Sequence, residues 1–132
     1  MIPFKKFIPG IAWFFLVLIL ICLPGDDLPK GEDWMSAIYF DKWVHTGLFG
    51  IQAFLIMLPF IQSSTDPKKI VSLLLKIAAA ISIWGLTTEF IQEYFIPGRA
   101  FEWGDWAADS LGALLAFFLS RFLGLRMRHT KT

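Results

Sequence analysis

The chain has a single cysteine, Cys22, so no disulfide bond can form within it. It also has no low-complexity segment and no internal repeat, and its 132 residues are about the length of one domain. Apolar side chains, in contrast, make up 56% of the residues, against about 45–50% in soluble proteins. Because so short a chain cannot bury all of this apolar surface within itself, the composition predicts an integral membrane protein.

Four apolar segments are long enough to cross a bilayer, for which a helix needs about 17–25 residues. We predict one all-α domain over residues 1–132, with four transmembrane helices at 7–23, 41–61, 67–96 and 105–123. The first segment follows two lysines, as the apolar part of a signal peptide would, but no small-x-small cleavage site comes after it. We therefore interpret it as a retained span. The basic tail after residue 123 is expected to fray.

The basic residues predict the orientation of these helices. With four spans, both termini lie on the same side of the membrane as the connection between the second and third helices. Most of the 12 basic residues are on that side: Lys5, Lys6, Lys68, Lys69, Lys76, Arg121, Arg126, Arg128 and Lys131. Because basic residues in short loops mark the cytoplasmic face, both termini are predicted to be cytoplasmic.

Polar residues recur at the predicted outer ends of the second, third and fourth helices, at spacings of three or four that place them on one helix face. A charge that faces lipid near the bilayer centre costs about 2.5–3.5 kcal/mol on insertion scales. These residues are therefore expected to turn inward and meet, together with the arginine of the Pro97-Gly98-Arg99 turn. The candidate pocket residues are Asp41, His45, Glu89, Gln92, Glu93, Arg99, Asp105 and Asp109.

Acidic residues outnumber basic ones in this set, and a bound cation would offset the imbalance. Carboxylates with one histidine suit Mn, Fe or Zn, so a divalent metal at His45, Glu89, Glu93 and Asp105 is one hypothesis. A purely structural alternative stays open, in which the same side chains only hold the helices together. Lys42 fits an ordinary interfacial charge, and Glu102 is expected to be solvated.

Small residues recur every fourth position along the fourth predicted helix. Such a stripe allows another helix to approach closely, within the chain or from a second molecule. Its members are Gly104, Ala108, Gly112, Ala116 and Ser120. The inner halves of the helices, such as 111–119 and 77–81, are apolar throughout, which disfavours proton or ion passage through the acidic cluster.

At these polar motifs the sequence resembles the VanZ-like family of small bacterial membrane proteins. The resemblance covers essentially the whole chain and rests on Asp41-Lys42-x-x-His45, Glu89-x-x-Gln92, Pro97-Gly98-Arg99, Phe101-Glu102-Trp103-Gly104-Asp105 and Asp109-Ser110-Leu111-Gly112-Ala113. The family often has asparagine at the position of Asp109. The resemblance implies a four-helix protein of the bacterial cytoplasmic membrane and a link to resistance against the glycopeptide teicoplanin.

Two functional hypotheses follow. In the first, an outer-leaflet polar pocket binds a lipid, a lipid-linked head group such as a cell-wall precursor, or a lipidated glycopeptide, with Arg99 contacting an anionic group. In the second, the chain is a metal-dependent hydrolase or transferase acting on a lipid-linked envelope precursor within the membrane. No recognised metalloenzyme spacing such as H-E-x-x-H is present, so the first hypothesis is preferred.

Overall fold

The structure is a computed structural model that describes residues 1–24, 39–63 and 66–129. A 3₁₀ turn, Phe4–Phe7, leads into α1 (Ile8–Ile21), which is followed by α2 (Phe40–Ile61), α3 (Pro67–Phe95) and α4 (Trp103–His129). These ranges contain no β-strand. The prediction of an all-α fold built on four long apolar helices is confirmed. Residues 25–38, between the first two helices, lie outside the described residues.

The helices are long and apolar enough to cross a membrane. The candidate spans are Phe4–Ile21, Phe40–Ile61, Lys69–Phe95 and Trp103–Met127, with 18, 22, 27 and 25 residues. At about 1.5 Å per residue, these lengths correspond to roughly 27–40 Å, against a hydrocarbon core of about 30 Å.

The helix boundaries follow local sequence signals, with one departure from the prediction. Asp66 and Pro67 start α3, and the backbone carbonyl of Asp66 accepts the first helical hydrogen bond from the Ile70 N–H at 3.0 Å. Gly98 follows the end of α3 with φ = 72°, a conformation that glycine adopts without strain. The predicted end of the fourth helix at residue 123 is wrong, because α4 continues to His129.

The extension of α4 has a physical reason. No proline follows residue 123, and the arginines of this segment suit the negative end of the helix dipole. The Arg126 guanidinium also lies 4.5 Å from the centroid of the Phe122 ring, one turn earlier, in a cation–π contact. The backbone from Arg126 to His129 is helical in the structure, whereas Lys131 lies outside the described residues.

The helices alternate in direction, so α2 and α4 run parallel to each other. Near one end of this pair, the Lys42 side chain of α2 contacts Asp105 of α4. Near the other end, Ile61 of α2 lies beside Gly124 of α4. In contrast, α3 and α4 are antiparallel, and a hydrogen bond of 2.7 Å joins the hydroxyl oxygens of Ser82 and Ser110. The pair α2 and α4 forms the centre of the bundle, with α3 packed against both.

The interior of the bundle is apolar over most of its length. Phe49 and Met57 of α2, Leu74 of α3, and Val17 of α1 have no exposed surface. The outer faces also carry large apolar side chains, which are more than half exposed at Phe15, Ile19, Ile83 and Phe118. The structure therefore places apolar residues on both the inner and the outer faces of the helices, with isolated buried polar residues such as Gln52 within the spans.

Candidate functional site

The buried polar side chains concentrate at the end of the bundle where α2 and α4 begin and α3 ends. His45, Glu89, Gln92, Asp105 and Asp109 are all buried there, in helices whose remaining interior is largely apolar. These are five of the eight residues predicted for the pocket. Asp41 and Glu93 lie on the exposed rim, and Arg99 is half-buried in the turn between α3 and α4.

His45 of α2 faces two carboxylates of α4. Its Nδ1 lies 2.9 Å from Asp109 Oδ1, and its Nε2 lies 3.7 Å from Asp105 Oδ2. The imidazole ring is parallel to the ring of Phe49, one turn further along α2, with centroids 6.4 Å apart. The i, i+4 spacing of Asp105 and Asp109 thus brings one carboxylate to each nitrogen of the ring.

Asp109 has no exposed surface, and its second carboxylate oxygen, Oδ2, has no hydrogen-bond partner among the described residues. A methyl group at position 85 of α3 would lie 2.7 Å from this oxygen and 2.8 Å from Asp109 Cβ. Gly85 therefore provides the space that the Asp109 side chain occupies. An unsatisfied buried acceptor costs about 1–3 kcal/mol, and more when it is charged.

Glu89 has no exposed surface and connects α3 to the start of α4. Its Oε2 accepts a hydrogen bond from the Glu102 backbone N–H at 2.9 Å. Glu93, one turn later, accepts the Phe101 N–H at 2.7 Å. The two carboxylates therefore accept hydrogen bonds from backbone N–H groups just before α4. These N–H groups have no hydrogen-bond acceptor within the helix itself. Glu93 thus makes a hydrogen bond to the backbone before α4 and does not belong to the buried cluster.

Gln92 connects the buried cluster to the turn. In the amide orientation that satisfies both neighbours, its nitrogen donates to Glu89 Oε1 at 3.3 Å and its oxygen accepts from the Arg99 guanidinium. In the described part of the chain, Arg99 therefore contacts an amide and not one of the carboxylates with which the sequence predicts it to pair.

Lys42 is the centre of a second polar group that sequence reasoning missed. Its Nζ lies 2.7 Å from Asp41 Oδ2, 2.6 Å from Glu102 Oε2 and 2.5 Å from Asp105 Oδ1. Glu102 is exposed, as expected, but it also pairs with Lys42, and the three carboxylate partners of Lys42 were not expected from the sequence. We call Lys42, Asp41, Glu102 and Asp105 the lysine cluster. The i, i+3 spacing of Glu102 and Asp105 is the sequence signal that could have indicated it.

The buried residues include a set of donors suited to a metal ion. One donor atom from each of His45, Glu89 and Asp109 lies within 4.8 Å of the other two. We call these three residues the buried triad. It differs from the set expected from the sequence, because Asp109 takes the place assigned to Glu93 and Asp105. Such a set can bind a cation or hold and exchange a proton.

A surface groove lies between α2 and α4, directly beside the polar end. Its volume is about 340 Å³, and it begins at Thr46, one turn from Lys42. Its walls are apolar, because the Thr46 hydroxyl shares its one proton between the backbone carbonyl oxygens of Lys42, at 2.9 Å, and Ala108, at 3.1 Å. Other lining residues are Gly47, Ile51, Phe54, Leu115 and Leu119.

The floor of the groove is the close crossing of α2 and α4. A methyl group at Gly112 would overlap the carbonyl oxygen of Thr46 and lie 2.8 Å from the Gly50 nitrogen. The small-residue stripe of α4 therefore lies against α2 in this chain, with Ala108, Gly112, Ala116 and Ser120 all buried.

Comparisons with known proteins gave no relative. No protein-family model matches the chain, and searches of curated proteins and of solved structures found no match either.

Proposed function

We propose that the chain is a multi-pass protein of the bacterial cytoplasmic membrane, with both termini in the cytoplasm and the buried triad near the outer leaflet. Four long apolar helices support the membrane location. The orientation is supported by the distribution of charge: the lysine cluster carries three acids for one base, whereas Lys5 and Lys6 lie at the opposite end.

We also propose, on the resemblance of its sequence motifs alone, that the chain belongs to the VanZ-like family. The motif residues that carry the resemblance are distant in sequence and lie on different helices. His45 of α2, Glu89 of α3 and Asp109 of α4 nevertheless meet at one end of the bundle.

We infer that the protein binds a lipid, a lipid-linked head group or a lipidated glycopeptide, with its acyl chain in the groove between α2 and α4. The observation that carries this proposal is the position of the groove, which is apolar along its length and opens one turn from Lys42. Its volume of about 340 Å³ is at the lower end of the usual range for small-molecule sites, roughly 300–1,000 Å³.

The lysine cluster, one helical turn from the Thr46 end of the groove, favours a head group with positive charge or hydrogen-bond donors. Asp41 and Glu102 are each 57% exposed there, and Lys42 is already surrounded by carboxylates. An ammonium group or sugar hydroxyls could bind to the exposed carboxylate oxygens, whereas an additional phosphate would be repelled. The interaction of Arg99 with an anionic group, expected from the sequence, is replaced in this proposal by donors contacting Asp41 and Glu102.

Filling the groove tests this proposal. Gly47 lines the groove, and a Cβ at this position meets no atom within 4 Å, so Gly47→Leu adds bulk at the groove without a clash at Cβ. We expect at least a tenfold loss of bound lipid, measured by native mass spectrometry after reconstitution with equimolar phosphatidylethanolamine and phosphatidylglycerol and extraction in detergent. The wild type should retain phosphatidylethanolamine preferentially, because of its ammonium group.

Two controls separate groove filling from the effect of added bulk. Gly47→Ala adds only a methyl group and should retain most of the lipid. Ala79→Leu makes a small-to-leucine change at an exposed position of α3 that does not line the groove. If Gly47→Leu retained as much lipid as these controls, the groove would not be the binding site. If a lipidated glycopeptide is the occupant in cells, Gly47→Leu should also lower teicoplanin tolerance.

A further inference from the structure

The buried triad has a property that lipid binding does not use. Its three side chains come from three different helices and converge in the interior, where Glu89 and Asp109 have no exposed surface. Carboxylates removed from water are costly unless they are paired with positive charge or fully hydrogen-bonded. The charges and donors that reach these two carboxylates therefore decide what the triad can hold.

The described basic side chains near the triad have other partners. Lys42 Nζ contacts Asp41, Glu102 and Asp105. The Arg99 guanidinium contacts the Gln92 amide oxygen. The imidazole of His45 is thus the basic group that the described residues supply to Glu89 and Asp109.

The Oδ2 atom of Asp109 is a second, independent sign of a missing partner. Asp109 contacts His45 through Oδ1 and is fully buried, yet Oδ2 accepts no hydrogen bond in the described part of the chain. The Asp109 side chain fits in this position because Gly85 has no side chain to occupy the same space. A cation bound between the three side chains would compensate the carboxylate.

The lysine cluster provides a contrast within the same protein. Asp41, Glu102 and Asp105 also bring three ligand atoms together, but the Lys42 ammonium occupies the space between them. These carboxylates already have a cation, so they need no metal ion. The corresponding space in the buried triad contains no lysine or arginine side chain among the described residues.

We propose that His45, Glu89 and Asp109 bind one divalent transition-metal ion, with Zn²⁺ and Mn²⁺ as the leading candidates. Imidazole nitrogen with carboxylate oxygen is a donor set suited to these metals. Three ligands about 2.0–2.2 Å from one ion lie roughly 3.3–3.8 Å from one another, so the donor atoms, now within 4.8 Å, need to close by at most about 1.5 Å, which small side-chain rotations can supply. Three protein donors leave a coordination position for water or a substrate oxygen.

This site is separate from the groove, which Thr46, Gly47 and their neighbours form on the surface between α2 and α4. A metal ion in the buried triad would supply the catalytic group that the hydrolase or transferase hypothesis needs. Metal binding, however, does not depend on that activity or on lipid binding. The two proposals can therefore fail independently.

Metal content tests the site. Wild-type protein, treated with chelator in detergent, would be loaded with ZnCl₂ or MnCl₂, desalted and measured by inductively coupled plasma mass spectrometry. We expect about one metal ion per chain and at least tenfold weaker binding in Glu89→Gln and in Asp109→Asn. The matched control is Glu93→Gln, an acid at the same end that lies outside the triad, which should bind as the wild type does.

A measurement on the wild type alone covers the case in which the triad variants fail to fold. In the Mn²⁺-loaded protein, electron spin-echo modulation should show coupling to one imidazole ¹⁴N, which comes from His45. Two results would overturn the proposal: absence of stoichiometric metal and ¹⁴N coupling in the wild type, or equal binding by folded Glu89→Gln, Asp109→Asn and Glu93→Gln.

Discussion

Replacing Gly112 by alanine is expected to lower the free energy of unfolding by about 3 kcal/mol or more, or to prevent folding. The added methyl group would overlap the Thr46 carbonyl oxygen and lie 2.8 Å from the Gly50 nitrogen. Both atoms belong to the backbone of α2, so no side-chain rotation can relieve the clash. The helices must separate, and the contact between His45 and Asp109 separates with them.

Gly124→Ala is the matched control, because it makes the same change in the same helix. A Cβ at Gly124 would be 3.6 Å from Ile61, an ordinary contact. We expect this variant to be as stable as the wild type or more stable by up to about 1 kcal/mol, since alanine is the better helix former. Unfolding in mixed detergent with sodium dodecyl sulfate, followed by circular dichroism, measures both. Equal stability of the two variants would show that α2 and α4 do not cross at Gly112.

Replacing Lys42 by methionine is expected to cost about 1–3 kcal/mol of stability. Methionine keeps most of the apolar stem but removes the ammonium that three carboxylates share. The estimate is below the 3–5 kcal/mol typical of a fully buried pair, because the Lys42 side chain is 24% exposed and water screens part of the repulsion. The same unfolding measurement applies.

A second substitution distinguishes repulsion among the acids from a simple loss of contact. Asp105→Asn removes one negative charge from the lysine cluster, so the double variant Lys42→Met/Asp105→Asn should be more stable than the sum of the single changes predicts. Lys5→Met, at the opposite end of the bundle, should have little effect because Lys5 is exposed. Strict additivity of Lys42→Met and Asp105→Asn would contradict a direct pairing.

Much of this arrangement could be predicted from the sequence, because crossing a bilayer constrains the chain strongly. Spans that alternate in direction place the start of α2, the end of α3 and the start of α4 on one side. The i, i+4 spacing of Asp105 and Asp109 then predicts that both point the same way. That both point toward His45 follows from the small-residue stripe of α4, which allows α4 to lie close to α2.

The partners within the cluster could not be predicted, because sequence gives the depth of a residue in the membrane more reliably than its neighbour across a helix interface. Glu89 and Glu93 are one turn apart on α3, yet Glu89 is buried while Glu93 reaches the backbone before α4. Lys42 likewise has the depth of an interfacial residue. Its role depends on the rotation of α2, which turns it toward Glu102 and Asp105.

We proposed that the polar end of the bundle faces the outside of the cytoplasmic membrane, and cysteine accessibility distinguishes this orientation from the reverse one. Because Cys22 is the sole cysteine, Cys22→Ser gives a background in which one new thiol reports its own location. Ala100 and Gln62 are both exposed in turns, Ala100 beside the polar end and Gln62 at the opposite end, beside Lys6.

In intact cells, a membrane-impermeant maleimide should label Ala100→Cys fully, and should label Gln62→Cys only after the cells are permeabilised. The reverse pattern, or labelling of both positions in intact cells, would contradict the proposed orientation and with it an outward-facing site.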